Sequence, residues 1–194
     1  MIDQSSLHAK LEPLTEADFD VVTDLATTVW RSHYSKIISM NQIEYMLKAR
    51  NTPENLCSYL KSSDKWFELL RVDNILAGYC SYSLTTNSGE MKLEQLYLLE
   101  SFRRKGLGKL MLRHVETVAR MKHIRSIVLQ VNKQNADSIS IYRKAGYQIR
   151  EEAIFDIGNG YVMDDYIMHI LIDHSILGDS LTPSLSSSEG RGFC

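Results

Sequence analysis

Cysteine is scarce: Cys57, Cys80 and Cys194 are an odd number in 194 residues, with no C-x-x-C spacing. A disulfide framework needs pairs and a structural zinc site needs closely spaced ligands, so neither is expected. The six histidines include no H-x-x-x-H pair, and no metal is expected either. Proline occurs only three times, and 44% hydrophobic with 24% charged residues describes a globular chain rather than a fibrous or disordered one. No run approaches the roughly 18 apolar residues that a membrane span needs. Met1-Ile2-Asp3-Gln4 lacks the basic and then apolar pattern of an export signal, so the expected location is the cytoplasm. Excess charge is missing too, since 22 Lys and Arg against 24 Asp and Glu leave a net charge of -2. That balance gives no broad attraction for nucleic acid or anionic lipid, and no partner of either kind is expected.

What is present is punctuation and periodicity. A first strand is expected within residues 7–14. Thr15 with Asp18 three positions later marks a helix start, followed by Phe19, Val22, Ala26, Val29 and Trp30 at helical spacing. Ser39 to Gln42 and Thr52-Pro53 signal two shorter helices. Trp66 to Val72 and Ile75 to Leu84 read as a hairpin about Asp73-Asn74, and a third strand runs from about Met91 to Leu99. The pattern then changes. Leu107, Leu110, Met111, Val115 and Val118 give an amphipathic helix, and Ile127 to Val131 give a strand apolar on both faces, which suits a parallel neighbour reached by a right-handed crossover. A second helix from about Asn135 to Lys144 ends at Gly146, and two strands flank Gly158-Asn159-Gly160. The expected fold class is α/β: a largely antiparallel sheet with one parallel βαβ unit and flanking helices. Residues 1–173 are expected to form one domain, and the Ser- and Gly-rich residues 174–194 a flexible tail.

Arg103-Arg104-Lys105-Gly106-Leu107-Gly108 lies between a strand and an amphipathic helix. Backbone N–H groups at a helix start, with the partial positive charge of its dipole, suit a phosphate. A lone G-x-G is weak, since ten glycines in 194 residues supply about 0.5 by chance. Neither the Walker A lysine nor a third glycine for a dinucleotide fingerprint follows.

In context the segment resembles the GNAT superfamily of acyl-CoA-dependent N-acyltransferases, whose signature is Arg/Gln-x-x-Gly-x-Gly/Ala, fitted by Arg103, Gly106 and Gly108. The likeness continues through Leu96-Tyr97-Leu98 before the loop and Asn135 to Tyr147 after it. It spans about residues 7–172 and is most specific from 93 to 147. It implies acetyl-CoA as acyl-donor substrate, its pyrophosphate held by Arg103, Arg104, Lys105, Gly106, Leu107, Gly108 and Lys109. The pantetheine arm would pair with Leu96, Tyr97 and Leu98, and Asn135 would touch the cofactor.

The same resemblance casts Tyr142 as the acid that protonates the CoA sulfur. Seven residues separate it from Asn135, about two helical turns on one face. Glu94 stands nine residues before Arg103, as a glutamate does in spermidine/spermine acetyltransferases of this superfamily. Strand alternation puts it on one face with Leu96 and Leu98. It is a base, an amine anchor or a solubilising edge charge. Trp30, His33 and Tyr34 lie where the family's first helices border the acceptor, and the closing hairpin, resembling that of small bacterial polyamine acetyltransferases, brings Asp156, Asp164 and Asp165. The substrate set is therefore Trp30, Tyr34, Glu94 and Asp164. The expected reaction is direct attack of a small amine such as a polyamine on acetyl-CoA, with a protein N-terminus or lysine as the alternative acceptor and a non-catalytic acyl-CoA binder as the alternative class. Cys80 reads as a core residue. The assembly state is open, a homodimer being one expectation.

Overall fold

Local signals fix the elements one by one. In the computed structural model, which describes residues 8–50 and 52–175, Thr15 and Asp18 close a capping box at a short 3-10 turn. The chain then enters helix α1, Phe19–Tyr34. Ser39 accepts from Gln42 N at the start of α2, Met40–Ala49, and Thr52 accepts from Asn55 N at the start of α3, Pro53–Leu60. Each cap satisfies a backbone N–H that the helix cannot, worth about 1 kcal/mol. Strand β1, Ala9–Pro13, precedes these helices. Strands β2, Lys65–Val72, and β3, Ile75–Leu84, follow and form the expected hairpin. Asp73 and Asn74 both take positive φ there, as a two-residue turn matched to strand twist requires.

Strand β4, Glu90–Leu98, leads to helix α4, Leu107–Met121, and then to β5, Ser126–Asn132, α5, Ala136–Lys144, β6, Gln148–Gly158, and β7, Tyr161–Leu171. The seven strands order as β1-β2-β3-β4-β5-β7-β6, and only β4 and β5 pair in parallel. The fold is thus the mixed α/β class expected. The apolar run of β5 has a parallel neighbour on one side and antiparallel β7 on the other.

The sheet is covered on both faces. On one, Leu107, Met111, Leu112, Val115 and Ala119 of α4 pack with Ile139 of α5 against Met91, Leu93, Ile127, Leu129 and Met168. Each fully buried large side chain contributes roughly 1.5–3 kcal/mol. On the other, Val22, Leu25, Ala26 and Val29 of α1 and Leu56 of α3 pack against Phe67, Leu69 and Tyr79, while Trp30 joins Ile43, Met46 and Met163 in a separate cluster. Cys80 is fully buried in the first core, where burial pushes its thiol well up, which agrees with a structural role. Among the described residues no helix is long and apolar enough to cross a membrane. His174 donates from Nε2 to the Ile124 carbonyl at 2.9 Å, and residues 176–194, most of the expected tail, lie outside the described residues.

A bulge and a close backbone approach shape the centre of the sheet. Opposite Ser81 and Tyr82 of β3 stand Gln95 and Leu93 of β4, so Glu94 is the extra residue of a β-bulge. At Gly78 of β3, paired with Leu98, a Cβ would collide with the Tyr97 carbonyl oxygen and lie 2.8 Å from Leu98 Cδ2. Glycine here lets β3 and β4 close together. Gly78→Ala is expected to cost about 1–3 kcal/mol in urea unfolding, because the obstacle is backbone that cannot rotate aside.

Candidate active site

The pairing of β4 with β5 runs only from Glu90↔Ser126 to Leu93↔Leu129. Beyond it β4 stays with β3 through Leu98, β5 stays with β7 through Asn132, and the two part. The β4 edge from the bulge to Leu98 therefore offers N–H and C=O groups to an extended ligand. The bulge also changes side-chain parity. Leu96 and Leu98 pack on the α4 face, as Met91 and Leu93 do, whereas Glu94 and Tyr97 line a cleft on the α1 face. Plain alternation would have put Glu94 with Leu96 and Leu98, and the extra residue overturns that expectation.

Aromatic rings wall the cleft. Trp30 lies 4.8 Å from Tyr34 and 5.7 Å from Tyr97 between centroids, and the two tyrosine hydroxyls share a hydrogen bond of 3.1 Å. Burial pushes both phenols up, so they stay protonated at neutral pH. The Arg50 guanidinium sits 5.5 Å from the Trp30 ring centre.

Two carboxylates enter from different strands. Glu94 Oε1 accepts from Ser83 Oγ at 3.1 Å, and Oε2 pairs with Lys92 Nζ at 3.0 Å. Asp165 of β7 is only 6% exposed, yet its buried Oδ1 finds no hydrogen-bond partner among the described residues. Burial raises its pKa to about 6, with Asp164 adding to the effect while Arg50, Lys92 and Lys133 oppose it. Trp30 Nε1 is a second buried polar atom without a partner among those residues, and both side chains line the cleft. Unsatisfied buried groups cost about 1–3 kcal/mol each, and a donor and an acceptor left open in one cleft make it the candidate ligand site.

On the opposite face the loop before α4 meets the open strand edge. Gly106 caps the helix at φ 79°, Arg104 has φ 60°, and Arg103 Nε reaches back to the Leu98 carbonyl at 3.4 Å. Among the described residues a Cβ on Gly106 would touch nothing within 4 Å, and one on Gly108 would stand 3.7 Å from Leu98 Cδ1. Packing among those residues therefore leaves the space above this helix start free for an anion on the first-turn amides. Leu107 serves the core with its side chain, and only its backbone faces the loop.

Helix α5 begins at Asn135, whose Oδ1 accepts from Ser138 N at 3.2 Å. Its Nδ2 is then turned to His33 Nε2, 3.0 Å away, which needs a neutral ring protonated at Nδ1. Burial, reinforced by Arg103, lowers the His33 pKa in keeping with that state, although Asp137 works the other way. This contact joins α1 to α5 across the parted strands. Two turns along the same helix, Tyr142 is partly buried against the α4-side core, and burial, with Tyr34 adding to it, raises its phenol and keeps it protonated.

Comparison with known proteins meets this geometry. The sequence model of the Acetyltransferase (GNAT) family matches residues 29–147, more than half of the chain. The chain belongs to this family. The spermidine N(1)-acetyltransferase of Thermoplasma acidophilum is 24% identical over 159 residues, covering 80% of this chain and 95% of that one. Among solved structures, the PaiA N-acetyltransferase of Thermoplasma acidophilum in complex with coenzyme A has a TM-score of 0.70 at 23% identity, covering 83% of this chain and 97% of that one. The spermidine N-acetyltransferase of Vibrio cholerae in complex with CoA and spermine has a TM-score of 0.63 at 14% identity, covering 84% and 95%. The protein is an acyl-CoA-dependent N-acetyltransferase of GNAT fold.

The structure brings most of the expected residues of this acetyltransferase to one gap in the sheet. Trp30, Tyr34, Glu94 and Tyr97 line the cleft; residues 103–109, Leu96, Leu98, Asn135 and Tyr142 lie on or beside the other side. Asp164 does not join them. Its side chain is on the outer face of β7, paired with Lys133, because neighbours on a strand point to opposite faces. Asp156 caps the hairpin turn, accepting from Gly158 N at 2.8 Å. Asp165 faces the cleft, on the same strand face as buried Met163, and nothing in the sequence singles it out from Asp164. Because its pKa is higher folded than unfolded, its charge destabilises the fold once ionised. Stability should fall as pH rises from about 4 to about 6, and Asp165→Asn should be more stable than wild type at pH 7 by up to about 3 kcal/mol, measured by urea unfolding across pH.

Proposed function

We propose that this acetyltransferase moves the acetyl group of acetyl-CoA onto a primary amine of a small polyamine, by direct attack while both are bound. The observation that carries the reading is the gap between β4 and β5, open on one face to a helix-start phosphate loop and on the other to an aromatic cleft with carboxylates from two strands. The names of the spermidine acetyltransferase relatives support the same acceptor class.

In this reading the amides of residues 103–109 hold the CoA pyrophosphate, with Arg104 and Lys105 near enough in sequence to meet a phosphate. The pantetheine arm adds to the β4 edge at Leu96 to Leu98 as an extra strand would. That pairing aims the thioester at the gap. Asn135 acts by fixing the start of the helix that carries Tyr142. The alkyl chain of the acceptor lies along Trp30, Tyr34 and Tyr97, where an ammonium also gains from ring faces. Glu94 balances the charge that Lys92 brings. Tyr142 supplies the proton that the departing thiolate needs, and its burial keeps that proton in place. A cytoplasmic location and a homodimer belong to the same proposal, supported by free Cys57 and Cys80 and by the long exposed edge of β6.

The test is incubation with acetyl-CoA and a panel of polyamines, amino acids, aminoglycosides and peptides, following thiol release and product mass. Acetylated spermidine is the expected product. Acetylated peptide in its place would move the acceptor to protein amines, and tight CoA binding without any transfer would leave a non-catalytic acyl-CoA binder. Tyr142→Phe is expected to lower kcat by about 10²-fold while the Kd for CoA, read by calorimetry, stays within a factor of about three.

A further inference from the structure

The geometry points to Asp165 as the residue that receives the ammonium of the acceptor and takes its proton, while Glu94 keeps Lys92 and Ser83 in place. The inference rests on the amine-acetylation reading above and names the group that makes the nucleophile.

The two carboxylates differ in what they already hold. Both Glu94 oxygens are engaged, one by the Ser83 hydroxyl and one by the Lys92 ammonium, so an incoming amine there competes with a cation two residues away in the same strand. Asp165 Oδ1 is buried with no partner among the described residues, in a side chain lining the same cleft. The groups that face it are Tyr34 of α1, Arg50 after α2, Lys92 and Glu94 of β4, Lys133 after β5 and neighbouring Asp164. The cations among them have other commitments: Lys92 to Glu94, Lys133 to Asp164 and Glu152, and Arg50 to the Trp30 face. A buried carboxylate in that position is neutralised by an arriving ammonium.

Proton transfer follows from the same placement. An ordinary alkylammonium near 10.4 stands more than 6 units above an ordinary aspartate near 3.9, and burial of Asp165 to about 6 closes roughly 2 of them. The ammonium gives one proton to the Asp165 carboxylate and becomes an amine. Its lone pair then forms the C–N bond at the thioester carbonyl as the C–S bond breaks. The sulfur takes a proton from the Tyr142 hydroxyl, and the second proton lost by nitrogen restores that hydroxyl. Asp165 releases its proton to solvent as product leaves. One ammonium and one thioester thus yield one amide, one thiol and one proton.

The experiment measures kcat/KM from pH 5 to 9 for wild type, Asp165→Asn and Glu94→Gln, with two acceptors. One is spermidine. The other is a short alkylamine made weakly basic by fluorine, so that it is neutral at pH 7. Wild type should lose activity on spermidine below about pH 6. Asp165→Asn should lack that limb and lose about 10²-fold on spermidine at pH 7, the usual contribution of a positioned base. It should lose less than about tenfold on the weakly basic amine, which has no proton to give up. Equal losses on both amines would reduce Asp165 to a structural role, and a limb that vanishes in Glu94→Gln instead would move the base there. Either result overturns the inference. If only peptide amines are acetylated, the polyamine reading falls, and the same profiles taken on a peptide still decide the role of Asp165.

Discussion

The parting of β4 from β5 is the constraint on which the rest of this molecule depends. A parallel pair that stayed joined would satisfy every backbone group and leave nowhere for a thioester. By inserting Glu94 as an extra residue, β4 keeps its antiparallel ladder with β3 and gives up its parallel one, so a single irregularity opens the sheet through its thickness. The strand edge stays usable because Gly78 lets β3 hold the segment at Tyr97 and Leu98 closely from the other side. The opening is a supported edge, not a frayed one.

Everything with chemical capability is arranged around that opening by elements packed on opposite faces. The α4 face contributes a helix start with left-handed residues and, through α5, a protonated tyrosine. The α1 face contributes rings and carboxylates. These halves are joined where the Asn135 amide meets neutral His33, so the cap of one helix also sets the position of another. Such a link costs little, because the cap is needed anyway to satisfy the first turn of α5.

Local signals were legible in the sequence and non-local ones were not. Caps at Thr15, Ser39 and Thr52, the turns at Asp73-Asn74 and Gly158-Asn159-Gly160, and the helical spacing after Gly106 each depend on a few adjacent residues, and the structure matches them closely. The glycine loop before α4 is readable because a helix start carries its own donors. The bulge is not, since nothing in Leu93-Glu94-Gln95 differs from ordinary alternation; it exists only relative to Ser81 and Tyr82 on another strand. That is why plain alternation puts Glu94 on the wrong face. Asp156, Asp164 and Asp165 looked alike as an acidic hairpin, and only the packing of β7 against β5 and the α2 side separates a turn cap, a surface partner of Lys133 and a buried carboxylate.

The separation of Asp164 from Asp165 also explains how the cleft keeps an ionisable group that the fold would do better without. Asp164 lies one position away on the opposite face and is held by Lys133, so it raises the proton affinity of its neighbour without entering the cleft. Lys133 is at the same time occupied by Glu152, which keeps its ammonium from serving as a partner to Asp165. On the other flank Lys92 is drawn to Glu94. The cations that could quiet Asp165 are thus each engaged by another carboxylate or by a ring, and its cost in stability is the physical counterpart of its readiness to take up a cation from solution. Stability withheld at one buried oxygen becomes binding energy for an ammonium, which is how an active site can be both less stable than its surroundings and more specific.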